Sequence, residues 1–220
     1  MSERIFSDRR SAGEELAKAL EGVAEPQDGV VVGLTRGGVP VAYEVARALS
    51  LPLEVLVIRK LGAPGHAELA IGAVGSGGVR VLNRRVIDSL GVGEETIEKI
   101  AQEERRRVEE KESFLRGDRE AVPLKGKKVI LVDDGLATGA SMRAAVATVR
   151  AKEPKQVIVA IPVAPPDTVE QLREEVDRVV CLNAPAGFRA VGQWYHHFGQ
   201  TSDKEVQTLL KEAAAPSGQA

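Results

Sequence analysis

The sequence predicts an α/β fold: a doubly wound, mainly parallel sheet with a helical insert and a small C-terminal hood. Three observations carry this. Short apolar runs rich in β-branched residues recur at 30–32, 53–58, 129–132, 156–162 and 178–182, as expected of strands buried on both faces. Segments with apolar residues at helical spacing separate them. The glycine-bearing and polar loops follow the strands, so in a doubly wound sheet they gather beyond the carboxyl ends, where ligands bind.

Taken in order, Asp8 or Ser7 can cap a first helix with Ala12, Leu16 and Leu20 on one face, ended by the turn chemistry of Glu25-Pro26-Gln27-Asp28-Gly29. Val30-Val31-Val32 is a strand, Gly33 to Gly38 a loop, and Val41, Val45 and Leu49 mark the inner face of a helix. After Pro52 a second strand runs from Leu53 to Ile58 and is closed by Arg59-Lys60, which completes a βαβ unit. A Gly/Pro-rich region follows at 61–78. From Gly93 to about Leu115 the chain is densely charged, with Ile97, Ile100, Ala101 and Val108 its main apolar points, and reads as a long, mostly solvated helix within an insert of about 84–122.

The second half repeats the alternation. Val129 to Val132 is a strand, Met142, Ala145, Val146 and Val149 a helix face, and 156–162 the next strand. Val169, Leu172 and Val176 mark another helix, and 178–182 a last parallel strand. The aromatics are scarce, 3% of the chain, and most of them cluster in the hood at about 183–202. A closing helix from Asp203 buries Val206, Leu209 and Leu210, and 213–220 reads as a frayed tail. Residues 1–220 are expected to form one domain.

Composition narrows the function classes. A net charge of −2 gives no general attraction to nucleic acid or membrane. Arg105-Arg106-Arg107 is flanked by Glu103, Glu104, Glu109 and Glu110, so it reads as a solvated or oligomer-contacting face. Cys181 is the one cysteine and sits in an apolar run, as a buried, inert thiol. With no signal-peptide pattern and no apolar run of membrane-spanning length, a soluble, reducing, cytoplasmic setting is expected.

The chemistry concentrates at 129–141, VILVDDGLATGAS. A buried strand leads straight into Asp133 and Asp134, then into a small-residue loop that opens a helix. Such a loop presents unpaired backbone N–H groups and the positive end of the helix dipole, a setting that binds phosphate. Thr138 and Ser141 add hydroxyl donors. Two carboxylates would repel that phosphate, so they should face donors or a cation: ribose hydroxyls and Mg²⁺ qualify. A Walker B strand also ends in acids, but no G-x-x-x-x-G-K-[ST] occurs in the chain, and the loop lacks the Rossmann G-x-G-x-x-G. In receiver domains the acidic pair lies near the start of the domain, with no Thr-Gly loop behind it.

These thirteen residues resemble the signature of the type I phosphoribosyltransferases, which bind phosphoribosyl pyrophosphate (PRPP): apolar run, two acids, short spacer, Thr-Gly, then Ser or Thr. The resemblance implies that family's doubly wound fold, and a reaction in which 5-phosphoribosyl passes from Mg²⁺-PRPP to a nitrogen nucleophile with release of pyrophosphate. It places Asp133 and Asp134 on the ribose hydroxyls and on Mg²⁺, directly or through water. Leu136, Ala137, Thr138, Gly139, Ala140 and Ser141 would hold the 5-phosphate. Thr35, Arg36, Gly37 and Gly38 would form the pyrophosphate loop, assisted by Arg59 and Lys60, with Arg36 and Lys60 neutralising the departing charge. The 61–78 region matches the mobile loop that closes over PRPP; His66 could assist there, with an exposed loop histidine as the safer reading.

In the hood, Phe188, Trp194 and Tyr195 could stack on a planar acceptor; a hydrophobic plug between tail and sheet is the equal alternative. His196-His197 lacks further ligands at metal-binding spacing. One departure bears on the acceptor. Purine-using members often carry a third acid just before the Thr-Gly, where this chain has Ala137, so purine salvage is disfavoured. Nothing in the hood is a recognisable orotate site either, and the acceptor stays open. The expected partners are therefore PRPP and a small-molecule acceptor, with neither nucleic acid nor membrane, and a homo-oligomer remains compatible with the insert. Two other readings compete: a PRPP-sensing regulator without turnover, and a hydrolase or phosphorylase of another ribose phosphate.

Overall fold

In the computed structural model, which describes residues 5–25 and 27–214, each of the five apolar runs forms a strand. The first half runs α1 (Arg9–Ala19), β1 (Gly29–Leu34), α2 (Gly38–Leu49), β2 (Leu53–Leu56), β3 (Arg59–Ala63), β4 (His66–Val74), β5 (Arg80–Leu82), α3 (Arg84–Leu90) and α4 (Glu94–Arg116). The second runs β6 (Lys128–Val132), α5 (Ala140–Arg150), β7 (Gln156–Val163), α6 (Pro166–Glu175), β8 (Arg178–Asn183) and α7 (Asp203–Ala214). Of the expected tail, Ala213 and Ala214 are the end of α7, and 215–220 lie outside the described residues.

The main sheet has the order β2-β1-β6-β7-β8, all parallel. Successive residues of a strand point to opposite faces, and the apolar runs supply both. Val31, Ile130, Val132, Ile158 and Ala160 pack with α1, α2, α4 and α7. Val30, Val32, Val129, Leu131, Val157, Val159 and Ile161 pack with α5 and α6. Helices on both faces make the sheet doubly wound, as expected from the alternation of elements.

Two local devices bring the amino terminus to the carboxyl edge of this sheet. Asp8 caps α1 by accepting from the Ser11 N–H at 2.8 Å, while the Ser11 hydroxyl accepts from the Asp8 N–H at 3.0 Å. Gly13 then lets α1 lie close on α2, since a Cβ there would stand 2.7 Å from the Val41 carbonyl oxygen. Ahead of α1, the Phe6 N–H donates to Trp194 O and the His196 N–H to Phe6 O, each at 2.9 Å. The start of the chain is thereby laced to the hood.

The region after β2 departs from expectation. The strand ends at Leu56, and Arg59 opens a separate antiparallel sheet of order β3-β4-β5 in place of closing β2. Most of the supposed mobile loop at 61–78 is therefore sheet, turning at Pro64-Gly65, where Gly65 takes φ 74°. The physical reason is an alternation that the glycines obscure: Leu61, Ala63, Ile71 and Ala73 are buried, while Lys60 is exposed and Gly62, Ala70 and Gly72 between them are only partly covered. Leu61 and Ile71 share a core cluster with Ile97, Val108 and Leu115 of α4.

Helix α4 is accordingly less solvated than its charge suggests. Glu112 on its buried side accepts from the Val57 N–H at 3.2 Å and from the Ser76 hydroxyl, fastening the helix to the entry of the small sheet and to its β4–β5 connection. On its outer side the arginine run is neutralised locally, Arg105 by Glu109 at 3.1 Å and Arg106 by Glu110 at 3.5 Å. Arg107 pairs with Glu104.

Candidate active site

The loops after β1 and β6 meet at the carboxyl edge, and glycine permits the meeting. A Cβ on Gly37 would stand 2.1 Å from Asp134 Oδ2, and one on Gly38 would stand 2.7 Å from Val132 O and 2.8 Å from the Asp133 Cα. The glycine pair is thus required by the acids themselves, before any ligand is considered. The Thr35–Arg36 peptide in this loop is cis. Arg36 is half exposed and reaches Asp203 Oδ1, at the start of α7, at 3.8 Å.

The two acids are not equivalent. Asp133 accepts from the Asp134 N–H through Oδ1 at 2.9 Å and remains half-buried. Burial first, and then the neighbouring Asp134 charge, pushes its carboxyl well above the ordinary carboxylate range. Burial also raises Asp134, opposed by Arg9, whose Nε donates to Asp134 Oδ2 at 2.7 Å. Both side chains of that pair are only 13% exposed. Tyr195 donates its hydroxyl to the Asp134 carbonyl at 2.5 Å, and burial raises its pKa, so it stays a donor.

The loop from Gly135 to Gly139 is braced from outside. Thr168 Oγ1 donates to Ala137 O at 2.8 Å, and Arg143 Nη1 donates to Thr138 O at 2.8 Å. Arg143 is itself held by Glu175 at 2.8 Å and Gln171 at 2.5 Å. With two carbonyls tied back in this way, the N–H groups of Thr138, Gly139 and Ser141 take no protein acceptor among the described residues. They are the donors a phosphate needs. Leu136 differs from expectation: its side chain is buried and its N–H donates to Val163 O at 3.0 Å, so it anchors the loop and is not free for phosphate. Ala140 N–H has a long contact, 3.5 Å, with Thr138 Oγ1.

Strand alternation separates the basic pair that had been placed together. Arg59 turns to α4, where it pairs with Glu104. Lys60 turns the other way, into a groove of about 420 Å³ that it shares with Ala140, Ser141 and Arg143. Lys60 therefore lies beside the first turn of α5, and the two do not form one basic edge.

The hood residues likewise divide. Trp194 and Tyr195, 2% and 6% exposed, pack with Phe6, Ala12 and Val163, which corrects their expected role as stacking faces for an acceptor. They are the hydrophobic plug. The cause is the amino-terminal segment laid across them, with the Phe6 and Tyr195 rings 5.6 Å apart. Phe188 is half-buried at the rim of that cluster. His197 Nδ1 lies 3.3 Å from Ser7 O.

Sequence reasoning missed Arg9, Thr168 and Arg143. Each acts on a residue far along the chain or on a backbone carbonyl, and neither contact leaves a motif. As for Mg²⁺, the described residues contain no group of three or more His, Cys, Asp or Glu able to hold a metal. One half-buried carboxylate beside phosphate-binding donors does fit an ion that arrives on its substrate, since Mg²⁺ is commonly held by one or two carboxylates plus phosphate oxygens. No described helix is long and apolar enough to cross a membrane.

A doubly wound parallel sheet with an acidic pair, an N–H-bearing loop at a helix start and a facing glycine loop, all at the strands' carboxyl ends, defines an α/β protein with its candidate ligand edge there. Residues 9–196 match the family model described as the phosphoribosyl transferase domain, and the chain belongs to that family. It is 44% identical to the protein TT1426 of Thermus thermophilus, whose crystal structure superposes with a TM-score of 0.83 over 96% of this chain and 100% of that one. It is also 43% identical over 210 residues to the Mycobacterium tuberculosis protein named "Putative phosphoribosyl transferase Rv0571c". The match covers 96% of this chain and 47% of that one, so this chain spans about half the length of the curated relative.

Proposed function

We propose that this protein transfers 5-phosphoribosyl from Mg²⁺-PRPP to a nitrogen nucleophile and releases pyrophosphate. The observation that carries the reading is the braced loop. Its Thr138, Gly139 and Ser141 N–H groups are left without protein acceptors, within the same edge as two raised-pKa carboxylates. Phosphate at the loop would fix one end of the ribose, and Asp133 would take hydrogen bonds from its hydroxyls.

In the reaction the C1–O bond to pyrophosphate breaks with its electron pair on the leaving oxygen. The acceptor nitrogen lone pair forms the new bond to C1, and the nitrogen's proton passes to the departing pyrophosphate or to water. Positive charge grows on the ring in between, and carboxylates in a poorly solvated edge stabilise it. Arg36, the Gly37-Gly38 backbone and Lys60 would bear on the anionic groups. Bound Mg²⁺ would add neutralising charge at the pyrophosphate oxygens. Ala137 offers no acid to a purine, and with Trp194 and Tyr195 packed away, the half-buried Phe188 would border the acceptor.

Calorimetric titration with PRPP, with and without Mg²⁺, tests the reading. Saturable, Mg²⁺-dependent binding is expected, followed by acceptor-dependent pyrophosphate release in a screen of nucleobases and small amines. Absence of binding overturns it. One observation favours the second reading, a PRPP-binding regulator: Asp134 already holds a cation, Arg9. Binding without pyrophosphate release for any acceptor would select that reading.

A further inference from the structure

We infer that Arg9 is the internal counter-ion of Asp134: it neutralises this acid toward Mg²⁺ and leaves Asp133 as the carboxylate whose charge is offered to Mg²⁺-PRPP. The inference rests on the phosphoribosyl-transfer reading and refines it, because it assigns different tasks to two acids that the motif treats alike.

The Asp134 Oδ2 atom is enclosed on two sides. Arg9 Nε lies 2.7 Å from it, and the Gly37 backbone approaches so closely that no Cβ could be accommodated. The guanidinium is held in place by more than the carboxylate. Nη1 donates to the Gly199 carbonyl at 2.7 Å, and the Phe198 ring lies under the guanidinium carbon at 3.9 Å from its centroid. Asp134 is fixed in turn through its backbone, by the Tyr195 hydroxyl on its carbonyl and by its own N–H to Asp133. These contacts come from α1, from the hood and from the loop after β1, so the pair is built by three distant parts of the chain.

The electrostatic consequence is direct. Two ionised acids would present a charge of −2 to an incoming cation; with Arg9 in contact the local sum is −1. A positive charge within a few ångströms of a divalent ion opposes its binding, by roughly tenfold or more at the effective dielectric of a protein edge. Arg9 thus makes Mg²⁺ binding depend on the oxygens that the substrate brings.

The test is the Mg²⁺ dependence of PRPP binding, followed by calorimetry on the full chain. In Arg9→Gln the half-saturating Mg²⁺ concentration should fall about tenfold, and Arg9→Lys, which keeps the charge, should stay near wild type. Loss of a merely structural contact would weaken binding, so tightening is a readout that such a role cannot produce. Phe198→Leu supplies an independent handle should Arg9→Gln fail to fold: the ring is partly exposed, and removing it frees the guanidinium and should lower half-saturation by about two- to threefold. Unchanged or weaker Mg²⁺ dependence in the Arg9→Gln and Phe198→Leu variants overturns the role of Arg9 while wild-type binding stands. Absence of PRPP binding in wild type and variants at any Mg²⁺ concentration overturns both this inference and the transfer reading.

Discussion

The loop at 133–141 and the small sheet at 59–82 border the same helix start, yet they are held in opposite ways. The loop has little core of its own: Leu136 is buried, and the rest is held by polar contacts, Arg9 and Tyr195 on Asp134, Val163 O on the Leu136 N–H, and Thr168 and Arg143 on the Ala137 and Thr138 carbonyls. The small sheet is held by packing. Leu61 and Ile71 are fully buried against α4, and buried Glu112 ties the helix to the entry of the sheet and to its β4–β5 connection. The difference separates chemistry from stability. In the proposed function the donors must stay unpaired to meet a phosphate, which fits a loop held by polar contacts at its back beside a sheet held by its core.

That separation can be broken deliberately. The largest effect on ligand binding is expected from Asp133→Asn combined with Asp134→Asn. Folding should survive, because the changes are isosteric and leave an amide oxygen at each position to accept from the Asp134 N–H and from Arg9 Nε, while calorimetric PRPP binding should vanish; unchanged affinity would remove the acids from the site. Leu61→Ala should produce the reverse pattern. Truncating a fully buried leucine costs about 2–5 kcal/mol, so the denaturation midpoint should drop sharply while the PRPP affinity of the remaining folded protein changes little. Arg143→Ala should do less to stability, since its ion pair is partly exposed, and should weaken PRPP binding by roughly tenfold, the equivalent of one or two lost hydrogen bonds. If Leu61→Ala abolished binding and Arg143→Ala spared it, the two regions would not divide their labour as proposed.

The same contrast governs what could be seen in the amino-acid sequence. The parallel sheet was legible because each strand is a continuous apolar run bordered by turn residues, and the loop proposed for phosphate because order and spacing within thirteen residues mark it out. The small sheet was obscured by Gly62, Pro64, Gly65 and Gly72, which read as loop although Leu61, Ala63, Ile71 and Ala73 alternate correctly. Arg59 and Lys60 looked like one basic patch until strand pairing sent them to opposite faces. Trp194 and Tyr195 were read with the plug as an equal alternative, and the deciding partner, Phe6, lies 188 and 189 positions away in sequence. Arg9 had no signal at all: its carboxylate is 125 residues distant, and nothing distinguishes it from its neighbour Arg10 at the start of the capped helix.

The smallest expected effect concerns pH and isolates Asp133 from its neighbour. Its folded-state carboxyl is raised above the ordinary value of 3.8, by burial and then by Asp134. Between that ordinary value and the raised one, the folded protein holds a proton that the unfolded chain has released. Stability contributed by this group is therefore present below pH 4 and falls as pH rises through that window. Asp133→Asn keeps an oxygen to accept from the Asp134 N–H and has no charge to bury. Its melting temperature should exceed wild type by a few degrees at pH 7.5, and the gap should close near pH 4. A gap of constant size at both pH values would mean that Asp133 carries no buried charge, and the asymmetry between the two acids would then rest on Arg9 alone.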